Sequence, residues 1–531
     1  MLASGNGQKT DQKSKPLSKW IFSLVLLFSL ASQAALSSNP IQIENKKPGT
    51  PDWELKNPAI NHEIEGFANL TSVNRGGKID FFVNTAESSF TARVFRMGWY
   101  GGVGAREIQT NLPQKLQGTH QKMPDMNSQT GLIECDWRKS FSLQIPSDQS
   151  PGRSDEWLSG VYVVKLTAAS GKDSFMIFVV RDDQRHSPLI YQTAVNTYQA
   201  YNRWGGKSVY DFNSDPVPVG GRTSSKWHKG VRATSVSFNR PYALGLNPLA
   251  ATGLGAGEFF TNVQPEDETH PSGWEYLFVR FMEREGFDVS YMTDQDAHAR
   301  PESLSNHKGV ILAGHNEYWS WEMRERFQNF LNSGGNIGSY SSNTCYWQVR
   351  MEGSPLTGAP GRTMTVYKDA KLDPTKGLRA TTQWRQLGMP EQNLFGVQYI
   401  VDPADGDLQI ADDGSHWLLE GTGLKKGDKI PGVVGYEADG IAGQPVNGTE
   451  LIARSQWINH REKPGDDEYT GVADTTLLTT PGGGMVFASG GMNWSLALDP
   501  YMQHLHNREA NEALQKLTCN FLLRASGRKT K

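Results

Sequence analysis

Val310-Ile311-Leu312-Ala313, then Gly314-His315-Asn316-Glu317-Tyr318-Trp319-Ser320, then a segment from Trp321 to Asn332, then Gly334-Gly335 and Ile337-Gly338-Ser339-Tyr340, decide the fold class of this chain. The first four residues are a short, continuously apolar run, the signature of a strand buried on both faces. Met323, Phe327, Phe330 and Leu331 recur at helical spacing, with Ser320 placed as the N-cap and the paired glycines as the stop. Ile337 to Tyr340 then reads as the next strand. A strand, a helix and a strand in this order imply a right-handed crossover and a mostly parallel sheet.

The same alternation extends outward. Upstream, Leu189 to Val195 reads as a strand. Trp274, Leu277, Phe278, Phe281 and Met282 mark one helix face, with Ser272 and Glu275 spaced as a capping box and Gly286 as the stop. Phe287 to Tyr291 is the strand that follows. Downstream, Met485 to Ala488 returns as a strand, and Ala510, Ala513, Leu514, Leu517 and Phe521 mark a final helix. Residues 360–480 are irregular and β-leaning, which predicts an insertion. The α/β domain therefore covers 184–525. Before it, 59–183 carries strand signals at period two: Lys78 to Val83, Phe90 to Phe95, and a hairpin of Gly160 to Leu166 and Ser174 to Val180 turning at Gly171-Lys172-Asp173. About 120 residues of such pattern predict an Ig-like β-sandwich. Residues 35–58, rich in Pro, Asn and Lys, read as a linker.

Residues 1–34 have the layout of a signal peptide: Lys9, Lys13, Lys15 and Lys19, an apolar run from Trp20 to Leu30, and Ser32 and Ala34 at the −3 and −1 positions. The run is shorter than the ~20 residues that span a bilayer, and no other run approaches that length. The expectation is export, to the periplasm or beyond, with cleavage after Ala34; an uncleaved N-terminal anchor is the alternative. The chain has 531 residues, with 53 Lys and Arg against 56 Asp and Glu. That balance argues against a nucleic-acid partner, which selects a basic surface. Three cysteines at unrelated spacings, with no CxxC or HExxH, argue against a disulfide framework or a structural zinc site.

In open α/β sheets ligands bind beyond the carboxyl ends of the strands. Three segments fall there: Asn196 to Gly206, Gly314 to Ser320, and Ser341 to Arg350. Glu317 is the leading carboxylate. Apolar neighbours would raise its pKa and suit a general base, whereas a hard cation would make it a ligand. His315 is placed to bind metal or move protons. The competing reading has both residues merely capping loops and the helix end. Cys345 follows a strand, but Thr344, Tyr346 and Trp347 beside it are too bulky for a nucleophile elbow. Tyr198, Tyr201 and Trp204 suit either a core or a pocket wall.

The motifs Thr197-Tyr198-Gln199-Ala200-Tyr201-Asn202-Arg203-Trp204-Gly205-Gly206-Lys207-Ser208, Gly273-Trp274-Glu275-Tyr276, Glu283 to Val289, Gly314 to Ser320 and Tyr346 to Arg350 carry a family likeness. The chain resembles the large (beta) subunit of N,N-dimethylformamidase and its relatives over about 185–525. The resemblance implies an α/β sandwich similar to class I glutamine amidotransferases. It also implies a mononuclear iron site held by two tyrosines and one glutamate. Glu317 falls in the motif that supplies the glutamate, and Tyr201 or Tyr198 where the first tyrosine stands. The second tyrosine is expected shortly before an Arg-Pro pair. Here Thr234 to Pro241 contains none, which leaves Tyr242, Tyr210 or His228 to complete the set. With His315 as a neighbouring base, the resemblance implies hydrolysis of the C–N bond of a small amide, with a small companion subunit or homo-oligomer as partner. The alternative from another class is a non-catalytic exported protein whose aromatic rim binds a glycan or another ligand.

Overall fold

The computed structural model describes residues 39–147, 157–245, 248–261, 273–459, 469–501, 503 and 508–528. The signal-peptide reading of 1–34 and the Ser272 cap lie outside them. The expected linker is not loose from Pro40 on. Pro40–Glu44 is a helical turn that buries Ile41 and Glu44, and Trp53 packs at 5.1 Å from the Phe260 ring. An apolar indole stacked on other rings holds the segment down, which composition alone did not reveal.

Two sheets follow. Ile64–Ala68, Lys78–Thr85 and Phe141–Gln144 form a three-stranded antiparallel sheet. Ser72–Asn74, Asp173–Arg181, Gly160–Ala168, Ser89–Met97 and Ala105–Ile108 pair in that order in a second. The two share a core of Ile79, Phe81, Val83, Val94, Val164 and Phe178. Alternate residues of the second sheet, Phe95, Val161, Val163 and Val179, face the other way into a core with Tyr191, Phe278 and Tyr291. One sheet thus serves both cores through the period of two. A buried ion pair crosses the same contact: Arg96 Nη2 lies 2.7 Å from Glu283 Oε1, and neither side chain reaches solvent. From Pro40 on the chain forms one compact unit.

The main sheet is built from Leu189–Thr193 (β1), Val289–Thr293 (β2), Gly309–His315 (β3), Asn336–Ser342 (β4), Thr449–Asn459 (β5), Tyr469–Thr479 (β6) and Met485–Ala488 (β7). Their spatial order is β2-β1-β3-β4-β7-β6-β5. The first five in that order are parallel; β6 and β5 complete the sheet antiparallel. So the last part of the expected 360–480 insertion belongs to the sheet. Helices Val195–Tyr201 (α1), Trp274–Arg284 (α2), Asp294–Ala299 (α3), Trp321–Asn332 (α4) and Glu512–Ala525 (α5) pack on the sheet. Ser320 caps α4 through its hydroxyl, which accepts from the Met323 N–H. Among the described residues no helix is long and apolar enough to cross a membrane.

Candidate functional site

The site forms where β1, β3 and β4 end. Ile311 and Ala313 face one core and Val310 and Leu312 the opposite one. His315, the last residue of β3, continues the Ile311–Ala313 face by the same period. The chain then turns at Asn316-Glu317 into the short strand Tyr318–Ser320. Glu317 therefore sits at a corner, three residues before the Ser320 cap of α4, and is not itself the N-terminal cap of that helix. The Thr197 hydroxyl accepts from the Glu317 N–H at 3.1 Å and ties the corner to α1.

Tyr201 ends α1, and its hydroxyl donates to Glu317 Oε2 at 3.0 Å. Tyr210 arrives on the following loop. Its hydroxyl lies 2.8 Å from the Tyr201 hydroxyl and 3.0 Å from each oxygen of Glu317. The two rings stack at 4.4 Å, and the Tyr318 hydroxyl donates to that of Tyr210 at 2.5 Å. Tyr198, one turn earlier, points elsewhere: its hydroxyl donates to Glu275 at 2.5 Å, beside Tyr191. Three residues along a helix rotate a side chain by about 300°, so the two tyrosines diverge onto two carboxylates. Glu275 is thus a buried acceptor for two phenols and not a capping-box residue. Tyr242 packs edge-on against Tyr198 at 6.2 Å, and His228 lies over Phe212 at 6.3 Å. Of the three residues offered to complete the set, Tyr242, Tyr210 and His228, Tyr210 is the one whose side chain hydrogen-bonds Glu317.

The long motif around Tyr201 explains this placement. The Arg240 guanidinium donates to the carbonyls of Asn202, Trp204 and Lys207. The Lys207 ammonium donates to the carbonyls of Asp215, Val217 and Val231. These buried donors satisfy loop carbonyls that no helix or sheet pairs. They fold the chain back on itself within nine residues, which brings Tyr210 beneath Tyr201.

His315 Nε2 lies 3.3 Å from Glu317 Oε2 and 3.5 Å from Glu437 Oε2, and Nδ1 lies 3.8 Å from Glu258 Oε2. All four side chains are buried. Burial works against charge on His315, but the carboxylates of Glu437 and Glu317 outweigh it and hold the imidazole well above its usual pKa. Burial likewise opposes ionisation of Glu317, yet His315, Lys368 and the Tyr210 hydroxyl hold it below the usual carboxylate range. Glu437 has less help and burial pushes it up to about 7. The phenols of Tyr201, Tyr210 and Tyr318 are raised by burial and by the Glu317 charge. The Lys368 ammonium sits 3.1 Å above the Tyr210 ring, near Tyr318 and Trp347; burial lowers its pKa well below the usual value.

Cys345 is fully buried, accepts from Arg324 at 3.4 Å, and has its thiol pushed by burial up to about 12. It is inert as a nucleophile at neutral pH. Among the described residues no group of three His, Cys, Asp or Glu side chains is arranged to hold a metal; a cation here would need the phenols. Sequence reasoning missed Glu437, Glu258 and Lys368. Each lies on a loop far along the chain. The legible trace is an acidic residue among aromatic or glycine neighbours, as in Gly435-Tyr436-Glu437 and Gly257-Glu258-Phe259.

A family model described as N,N-dimethylformamidase beta subunit-like, C-terminal, matches residues 91–509. It begins well before the 185 expected from the motifs, inside the second of the two N-terminal sheets. The N,N-dimethylformamidase beta subunit of Alcaligenes sp is 22% identical over 444 residues, covering 72% of this chain and 54% of that one. The Paracoccus aminophilus protein of the same description is 22% identical over 453 residues, covering 72% and 55%. The chain thus spans about half the length of these curated relatives. Among solved structures, one described as mmIFT52 N-terminal domain aligns over 45% of this chain at 12% identity with a TM-score of 0.25, too low to carry an argument. With a family match over most of its length, the chain belongs to the N,N-dimethylformamidase beta subunit-like family.

Proposed function

We propose that this protein is a hydrolase of the C–N bond of a small amide, with a mononuclear iron held by Tyr201, Tyr210 and Glu317. The observation that carries the reading is the triangle of oxygens from those three residues, with edges of 2.8, 3.0 and 3.0 Å. Oxygens bound at right angles to a cation at about 2.0–2.1 Å are separated by about 2.8–3.0 Å. Hard anionic oxygens suit ferric iron, so the donor set fits the group. When bound, the ion would polarise an amide carbonyl and lower the pKa of water beside it.

The chain's own residues supply the rest. Glu437, with a pKa near 7, accepts the proton of the attacking water and returns it to the amine nitrogen as the C–N bond breaks. The charged His315, next to it, stabilises negative charge that develops on the carbonyl oxygen. The burial of His315, Glu317 and Glu437 favours a small substrate. It also weighs against a glycan platform, since Tyr198, Tyr201 and Trp204 are each no more than 3% exposed. Class I amidotransferase-like topology and an Ig-like sandwich remain our reading of the two halves. Export by the N-terminal segment and assembly with a small companion subunit or as a homo-oligomer belong to the same proposal, the subunit suggested by the relatives' designation.

The test is release of amine from a panel of small amides, N,N-dimethylformamide first, by the iron-loaded full chain. Turnover that Glu437→Gln reduces at least tenfold supports the reading. No turnover across the panel, with iron bound, contradicts it.

A further inference from the structure

Glu258 has no place in the account above, yet it is the third carboxylate around His315. It is 5% exposed, and neither of its oxygens accepts a hydrogen bond among the described residues. His315 Nδ1 is equally without a hydrogen-bond partner among them. A buried, unpaired carboxylate is costly unless a partner offsets it. The nearest such partner is the imidazole, 3.8 Å away. Burial raises Glu258 to about 7, and His315 is the group that works against that rise.

The local chain is shaped to bring the carboxylate there. Gly255 and Gly257 both have positive φ, at 88° and 62°. A Cβ on Gly257 would lie 2.5 Å from the Tyr198 ring, and one on Gly255 would lie 2.1 Å from the Phe175 carbonyl oxygen. Only glycine lets the turn press so closely on α1 and the second N-terminal sheet. Phe259 and Phe260, both buried, then anchor its far side.

We infer that Glu258 is a positioning residue: it faces His315 Nδ1 across 3.8 Å, fixes the orientation of the ring and so presents Nε2 to Glu437, Glu317 and the substrate. A carboxylate behind a working imidazole fixes its ring orientation. In this site one imidazole has an orienting carboxylate on one nitrogen and two functional carboxylates on the other. The inference rests on the amidase reading for its consequence in catalysis, but the pairing itself is a property of the folded chain.

Two measurements on the full-length protein test it. The first is a double-mutant cycle of unfolding with Glu258→Gln and His315→Gln. Coupling of at least about fivefold in the unfolding equilibrium constant is expected for a contacting buried pair; additive effects overturn the pairing. The second is the kinetics of Glu258→Gln on a small amide. A fall of about 10–100-fold in kcat with KM within about threefold is expected for loss of an orienting partner, with iron content unchanged. Unchanged kcat overturns the positioning role. Should Glu258→Gln fail to fold, Glu258→Asp carries the same cycle. A wild type that hydrolyses no amide contradicts the proposed function, and the unfolding cycle still decides the pairing.

Discussion

Replacing Tyr210 by Phe separates the two ways of completing the site. The change keeps the ring, its 4.4 Å stack on Tyr201 and its contact with the Lys368 ammonium, and removes one hydroxyl. That hydroxyl accepts from Tyr318 at 2.5 Å and donates toward Glu317 at 3.0 Å. Leaving the Tyr318 hydroxyl without its acceptor costs about 1–3 kcal/mol, and loss of a donor to a buried carboxylate costs about 1.5–3 kcal/mol. The two losses share partners and do not add fully, so metal-free protein should lose about 2–4 kcal/mol. Iron affinity should fall by more than the ~10–100-fold typical of losing a mere supporting residue, because a direct ligand is gone. Urea unfolding of metal-free protein and chelator competition of loaded protein measure the two effects. Tyr242→Phe, by contrast, should leave iron affinity within about threefold, since its ring lies against Tyr198. Retention of iron by Tyr210→Phe together with its loss from Tyr242→Phe would refute the assignment.

Other outcomes follow from the same structure. Burial pushes Glu275 up to about 8, against hydrogen bonds from Tyr198 and Tyr191, while its unfolded value is 4.5. The folded state therefore binds more protons than the unfolded between those values, and this contribution to stability is lost as pH rises through the window. The stability of the wild type relative to Glu275→Gln should fall between pH 5 and 8, by at most about 1.4 kcal/mol per unit; urea titrations at pH 5, 6.5 and 8 check this, and a constant difference counts against it. Cys345→Ala should retain amide hydrolysis and lose about 1–2 kcal/mol of stability, as expected for shrinking a well-packed residue; a folded variant without activity would restore the thiol to consideration. Arg96→Met leaves Glu283 without its buried cation and should cost about 3–5 kcal/mol, read from the urea midpoint, with the two N-terminal sheets and α2 loosened together.

The parts of the fold that were legible are those whose signal is local. Met323, Phe327 and Leu331 face one core of α4, and Ser320 caps it, because a helix repeats within a few residues. The Gly160–Ala168 and Asp173–Arg181 hairpin follows from a two-residue period and one turn. His315, Glu317 and Tyr201 could be named from motifs, and the structure gathers them. What could not be read depends on the path of the chain between distant segments. Tyr198 and Tyr201 look equivalent in sequence and differ only in which carboxylate each faces. Glu258 and Glu437 approach His315 from loops on either side of it in sequence, with no periodicity to mark them. Trp53 lies in a stretch whose composition is that of a linker, and only its contact with Phe260 shows that it is core. Tyr210 could be named as one of three candidates, but choosing it required knowing that Arg240 and Lys207 fold the loop back.

The central claim is that Tyr201, Tyr210 and Glu317 make a site for one hard cation. Elemental analysis of the purified full chain, with its visible spectrum, tests it most directly. The expected result is about one iron per chain, together with a phenolate-to-iron absorption band that Tyr201→Phe and Tyr210→Phe each diminish and Glu317→Gln abolishes along with the metal. Folded protein that takes up no iron after reconstitution, or that binds it equally in all three variants, would contradict the claim.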